Sequence, residues 1–186
     1  DPDHARELVT RRTKAILPVH VYGNVCDMPR LLKLASERGL AVVEDTAEAA
    51  FSAFRGRSAG TFGDCGCFSF HATKNIACGE GGALLLNTAD PVMSERDDIL
   101  WEKGTNRDGF FRGEVNKYGW VDTGSSFLAS EITAAFLWAQ LEEVDKIQNR
   151  RREIWQTYQQ ALHQWATAEQ VQLPHIPEYA SKNGHM

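Results

Sequence analysis

The sequence predicts an α/β fold built on a mainly parallel sheet with flanking helices, extended by a long spine helix. Three observations carry this reading. First, an apolar run at Lys14 to Val21, a helical pattern at Met28 to Arg38 and a second apolar run at Leu40 to Val43 follow one another. Strand, helix, strand within about thirty residues is a βαβ unit, which requires parallel strands. Second, the stretch from Asp64 to Asn87 reads as strand, lysine-bearing loop, glycine turn and strand. Third, a 3.6-residue apolar period continues from about Ala129 to Leu162. A helix of about thirty residues spans roughly 45–50 Å, more than one small domain needs.

Each element has its own signal. Pro2 to Arg12 carries Ala5, Leu8 and Val9 on one helical face. The run Lys14 to Val21 contains Pro18, which suits a strand end better than its centre. Tyr22 to Asp27 is a loop. Met28 to Arg38 places Met28, Leu31, Leu32, Leu34 and Ala35 at helical spacing, and Gly39 supplies the C-cap. Leu40 to Val43 is a buried strand ending in Glu44-Asp45. Ala47 to Gly63 is irregular, and Phe54-Arg-Gly-Arg-Ser58 reads as a turn with a solvated basic tip. Asp90 to Lys103 is an amphipathic helix with Pro91 at its first position. Gly104 to Ser126 has little periodicity and reads as a functional or interfacial loop. In the long helix, Ile132, Phe136, Ala139, Glu143, Ile147, Ile154, Tyr158 and Leu162 keep the period, with Glu143 as the polar slip. Glu142 and Lys146 stand as an i,i+4 pair. The tail from Gln164 shows no completed unit.

Bulk properties narrow the function. The 186 residues suffice for a proper core, and the net charge of −5 is mild. No basic block points to nucleic acid, and no apolar stretch reaches membrane-spanning length. The cysteines are Cys26, Cys65, Cys67 and Cys78, without the paired spacing of a structural zinc site, so no metal site is expected. They read as reduced, ordinary thiols, which fits a cytoplasmic protein.

Two residues invite chemistry. Lys74 lies between two buried strands, where a lysine is paired, neutral, covalently modified or snorkelling to the surface. Asp45 ends a strand of a parallel sheet, at the edge where ligands bind, and it also suits an N-cap. Pyridoxal phosphate needs such a pair: a lysine amine to hold its aldehyde, and an acid facing its pyridine nitrogen. Its phosphate needs a hydroxyl or a helix start, and Ser69 is the candidate.

The local wording is more specific. Val43-Glu-Asp45-Thr-Ala47, Gly60-Thr-Phe-Gly63, Phe68-Ser-Phe-His-Ala-Thr-Lys74-Asn75 and Gly79-Glu-Gly-Gly82 stand in this order. In this they resemble the DegT/DnrJ/EryC1/StrS sugar aminotransferases, pyridoxal-phosphate enzymes of fold type I. The resemblance extends through Glu102-Lys-Gly-Thr-Asn-Arg107, Phe110-Phe-Arg-Gly113, Gly124-Ser-Ser126 and Leu137-Trp-Ala-Gln-Leu141. Within the family the wording is similar to the dTDP-4-amino-4,6-dideoxygalactose transaminase branch.

The resemblance implies a role for each matching residue. Lys74 would be the Schiff-base lysine and proton shuttle. Asp45 would meet the pyridinium nitrogen, and Ser69 the phosphate. Glu48 would lie near the cofactor ring, where the family usually carries glutamine. His71 and Asn75 would give support, and Ser126 stands where many members carry an asparagine. Lys74 also favours amino transfer over the sugar-dehydratase chemistry of relatives that have histidine there. Glutamate would be the donor and a nucleotide-linked 4-keto-6-deoxy sugar the acceptor. Gly104 to Ser126 would help form the site across a homodimer interface. Residues 1–162 would belong to the cofactor-binding large domain of fold type I, and 163–186 would begin a C-terminal small domain. Family members are about twice this length, so the resemblance implies a central piece, without the upstream phosphate loop or the rest of the small domain. For the piece alone, cofactor binding would rest on Lys74, Asp45 and Ser69. The competing expectation is a non-catalytic piece that self-associates through the long helix.

Overall fold

The βαβ unit forms where its pattern predicts it. The structure, a computed structural model, describes residues 1–87 and 91–183. Helix α1 (Pro2–Leu8) starts at Asp1, whose carboxylate accepts the Asp3 N–H, and it ends short of the expected Arg12. Strand β1 is only Ala15–Ile16. Pro18 interrupts the longer expected run because it has no N–H to give. Its carbonyl accepts the Asp45 N–H, Val19 makes an isolated bridge to Asp45, and Val21–Gly23 coils into a 3-10 turn. Helix α2 (Met28–Arg38) has both of its caps: Asp27 accepts from the Arg30 N–H, and Gly39 takes the left-handed conformation. Strand β2 (Ala41–Asp45) then pairs in parallel with β1, Ala15 opposite Ala41.

The segment read as irregular contains a small hairpin, β3 (Ala53–Phe54) and β4 (Arg57–Ser58). Arg55 and Gly56 both have positive φ, 47° and 88°, the geometry of a tight hairpin turn. Strand β5 (Cys65–Ser69) runs parallel to β2, with Asp45 opposite Cys67. Strand β6 (Gly82–Leu86) runs antiparallel to β5, because the connection folds straight back and makes no crossover. The sheet order is β1-β2-β5-β6, so the sheet is mixed. β6 forms its edge, with Leu84 and Leu85 exposed.

The chain divides into two units, Asp1–Asn87 with Ala135–Met186, and Thr88–Ala134. The second holds α3 (Pro91–Trp101) and the short α4 (Arg107–Phe111). Asp90, the expected start of α3, lies outside the described residues. In this unit the expected loop is pinned by bridges of Glu102 to Ser126 and of Thr105 to Trp120, and buried Glu102 pairs with Arg107 at 3.0 Å.

The long helix is two helices, α5 (Glu131–Glu142) and α6 (Val144–Ala168). The break falls at Glu143, the polar slip of the pattern, whose φ and ψ are −99° and 10°. Lys146 accordingly pairs with Glu143 at 2.9 Å, and not with Glu142 as the spacing suggested. The tail adds strand β7 (Ala180–Lys182), antiparallel to β3, and Tyr179 stacks on Phe54 at 4.5 Å. The last three residues, 184–186, lie outside the description. Among the described residues no helix is long and apolar enough to cross a membrane.

The core of the first unit joins Val25, Met28, Leu31 and Ala35 to Val42, Phe54 and Ala59. One buried carboxylate organises its edge. Along β2 the residues alternate, so Val42 and Glu44 share the buried face. Glu44 Oε1 accepts the N–H groups of Phe62 (2.6 Å) and Gly63 (2.7 Å). Its Oε2 accepts from Gly60 N–H (2.8 Å) and His20 Nε2 (3.1 Å). The Cys26 N–H donates to His20 Nδ1, so the ring proton sits on Nε2 and points at Glu44. Glu44 thereby holds the Gly60 to Gly63 loop over the sheet. That loop lies so close to β5 that a Cβ on Gly66 would stand 2.4 Å from the Gly60 carbonyl oxygen.

Two outcomes follow from this packing. Gly66→Ala drives its methyl group into backbone, which cannot swing aside, and should lose about 1–3 kcal/mol in urea denaturation. The second concerns acid. Burial alone would raise the Glu44 carboxyl; the His20 hydrogen bond and the three backbone N–H groups outweigh it and hold the group below its ordinary 4.5. Its stabilising contribution is therefore complete above about pH 4.5 and is lost as pH falls through the lowered value. Acid titration followed by circular dichroism should show this loss, and Glu44→Gln should flatten that part of the curve.

Candidate active site

The carboxyl edge of β2 and β5 gathers the residues singled out in the sequence. Asp45 is the last residue of β2 and Ser69 the last of β5. Asp45 Oδ1 accepts the Ala47 N–H at 3.0 Å, closing the turn that leaves the strand. No helix follows for Asp45 to cap; one of its oxygens closes the turn, and among the described residues Oδ2 makes no hydrogen bond.

Lys74 sits in the loop between β5 and β6. The loop is built from backbone bonds, Phe70 N–H to Gly81, Ala72 N–H to Gly79 and Cys78 N–H to Phe70. Gly79 turns the chain with φ of 88°. The Lys74 N–H bonds the His71 carbonyl at 2.9 Å, which folds the lysine back toward the sheet. Its side chain is only 18% exposed, and Nζ lies 3.9 Å from Glu48 Oε1. This is a held lysine, not one that snorkels. Glu48 is 28% exposed, and its Oε2 accepts the Tyr22 N–H at 2.8 Å. That bond steadies Tyr22 at φ 52°, an unusual conformation for a residue with a side chain.

Ser69 Oγ accepts the His71 N–H at 3.3 Å, leaving its hydroxyl proton free to donate. The Thr73 N–H donates to His71 Nδ1 at 3.2 Å, and His71 Nε2 faces Glu80 at 3.6 Å. The structure therefore joins Lys74 directly to Glu48, and sets Asp45 and Ser69 on the same sheet edge without a direct bond to either. Ser126 belongs to the other unit. The four cysteines are free.

The sequence reading passed over Glu44 and His20. A signal was present: an acid sharing the alternate positions of a buried strand with Val42 has to be satisfied internally. Its partners come from Gly60 to Gly63 and from His20, and no local spacing announces them.

The chain matches the DegT/DnrJ/EryC1/StrS aminotransferase family over residues 1–185. The GDP-perosamine synthase of Caulobacter vibrioides is 37% identical over 169 residues, covering 91% of this chain and 43% of that protein. The structure of DesI determined with its TDP-sugar product aligns with a TM-score of 0.82 at 32% identity, over 100% of this chain and 43% of that one. Spr1654 of Streptococcus pneumoniae in its PLP form aligns with a TM-score of 0.83 at 25% identity, over 100% of this chain and 50% of that one. The chain thus spans half or less of the length of these relatives. The architecture is that of the fold type I, PLP-dependent aminotransferases. With residues 1–185 matched, this chain belongs to the DegT/DnrJ/EryC1/StrS aminotransferase family.

Proposed function

We propose that this chain supplies the lysine-bearing part of the site of a pyridoxal-phosphate aminotransferase. It would move an amino group from glutamate to a nucleotide-linked 4-keto-6-deoxy sugar. The observation that carries the reading is Lys74, held 3.9 Å from Glu48 beside the strand ends that carry Asp45 and Ser69. Family membership supports the aminotransferase class, and relatives named for a GDP sugar and a TDP sugar support a nucleotide-linked acceptor.

The residues fit the cofactor. The Lys74 amine can hold its aldehyde carbon covalently. Asp45 Oδ2, which makes no hydrogen bond among the described residues, can accept a hydrogen bond from the pyridine nitrogen and keep that nitrogen protonated. The Ser69 hydroxyl can donate to a phosphate oxygen. Bound there, pyridoxal phosphate supplies an electron sink for a carbanion at the carbon that carries the amine. The Lys74 amine would be the group placed to hold a proton and return it to that carbon. Glu48 is an acceptor when ionised, so it serves the lysine amine and the Tyr22 backbone and gives no hydrogen bond to a ring oxygen. The reading extends to a cytoplasmic homodimer. Free cysteines support the compartment. Ile132, Phe136 and Trp138, exposed on α5, support self-association.

Incubation with pyridoxal phosphate, borohydride reduction and peptide mapping should place the adduct on Lys74, and Lys74→Ala should abolish it. Absence of an adduct from the unmodified chain would overturn the reading. Asp45→Asn loses a charge-assisted hydrogen bond, commonly about 1.5–3 kcal/mol, so cofactor affinity should fall about tenfold or more in a spectroscopic titration. Glutamate should bleach the visible band of the loaded chain; an adduct that ignores glutamate would leave the reading of a non-catalytic piece.

A further inference from the structure

Glu44 and His20 make a fully buried pair one residue away from Asp45, and the chemistry described above uses neither. We propose that Glu44 and His20 are positioning residues for Asp45, fixing where its carboxylate stands at the end of β2. The inference rests on the cofactor reading of Asp45 given above.

Adjacent strand residues point to opposite faces. Glu44 turns into the Gly60 to Gly63 loop, so Asp45 projects from the other face. Glu44 therefore acts on the site only through the backbone. That backbone is tightly held. The Asp45 N–H bonds the Pro18 carbonyl (2.9 Å), the Thr46 N–H bonds the Cys67 carbonyl (2.8 Å), and the Asp45 carbonyl accepts the His20 N–H (3.1 Å). His20 thus reaches both neighbours: its backbone holds the Asp45 carbonyl and its ring holds the Glu44 carboxylate. The Cys26 N–H on Nδ1 fixes the ring from the other side. The peptide between Glu44 and Asp45 completes a closed circuit through His20. Such a circuit limits rotation of the strand end, and with it the direction in which Asp45 Oδ2 points. The backbone bond from His20 to Asp45 belongs to the bridge of Val19 with Asp45, so one residue holds the Asp45 carbonyl by its backbone and the Glu44 carboxylate by its ring.

Two variants test this, Glu44→Gln and His20→Gln; the second keeps an amide donor toward Glu44 but has no ring nitrogen where Nδ1 accepts the Cys26 N–H. The first readout needs no cofactor. The Ala47 N–H is bonded to Asp45 Oδ1, so its hydrogen exchange reports how firmly that carboxylate is held. Exchange at Ala47 should quicken about tenfold in Glu44→Gln and less in His20→Gln, with the amides of α2 unchanged. The second readout is the visible band of chain loaded with pyridoxal phosphate. The pH at which that band changes should shift in both variants, because the partner of the pyridine nitrogen has moved. Unchanged exchange at Ala47, or exchange that rises only in step with α2, would show an anchor without a positioning role and overturn the proposal. So would loaded variants whose band changes at the unmodified pH. If Glu44→Gln does not fold, His20→Gln decides alone. Failure of the unmodified chain to load at Lys74 would remove the cofactor reading, while the exchange arm would still decide whether Glu44 and His20 hold Asp45.

Discussion

A carboxylate with no access to water must find its hydrogen bonds inside the protein, and Glu44 finds four. Three come from backbone N–H groups of a single loop and one from the His20 imidazole. Desolvating such a group costs several kcal/mol, and removing one partner of a buried pair commonly costs about 3–5 kcal/mol. The donors must therefore be in place whenever the strand is. This condition couples three parts of the chain that are distant in sequence: the segment after β1, the end of β2, and the loop before β5. The glycines of the loop follow from it. Gly60 has φ of 83°, and a side chain there would run into the Phe68 ring. Gly66 leaves the room that lets the loop lie on the strand.

The site inherits its order from this coupling. Asp45 is held from both sides by backbone bonds, and its position relative to β5 is set by the ladder that places it opposite Cys67. Lys74 is placed differently. It depends on a loop closed by local backbone bonds and anchored by the buried Asn75 and Ile76, with an ion pair that reaches back to Glu48. The acid thus stands at the end of a strand and the amine in the turn between two strands.

Much of this was legible in the residues. The caps of α2 follow from Asp27 and Gly39, both local signals that act within one turn. The parallel pairing of β1 and β2 follows from the length of the connection. Asp45 and Ser69 were singled out for their chemistry, and both stand at strand ends; Lys74 was singled out for its place between two strands, and it stands in the loop between them beside Glu48. What was missed depended on contacts remote in sequence. β7 forms because Tyr179 stacks on Phe54 and the following strand joins β3, and no periodicity in the tail foretells that. The break between α5 and α6 was visible only as one polar residue in an apolar stripe. Helical spacing survives such a slip on paper, yet the backbone leaves the helix there. His20 read as part of a strand because its neighbours are apolar; Pro18 ended that strand early and freed the histidine to turn toward Glu44.

The strand Val43-Glu-Asp45 shows why structure and chemistry could separate at adjacent residues. Two acids side by side would repel each other and compete for donors if they shared a face. The alternation of a strand prevents this: one carboxylate goes inward and has its hydrogen bonds supplied by the fold, and the other goes outward with an oxygen to spare. The inward acid then has every donor it needs and takes no proton from a substrate or cofactor. The outward acid has one donor, the Ala47 N–H, and the capacity for another. Strand parity thus decides which of the two carboxylates is satisfied inside the fold and which keeps an oxygen available. Moving the register of β2 by one residue would exchange their roles and destroy both.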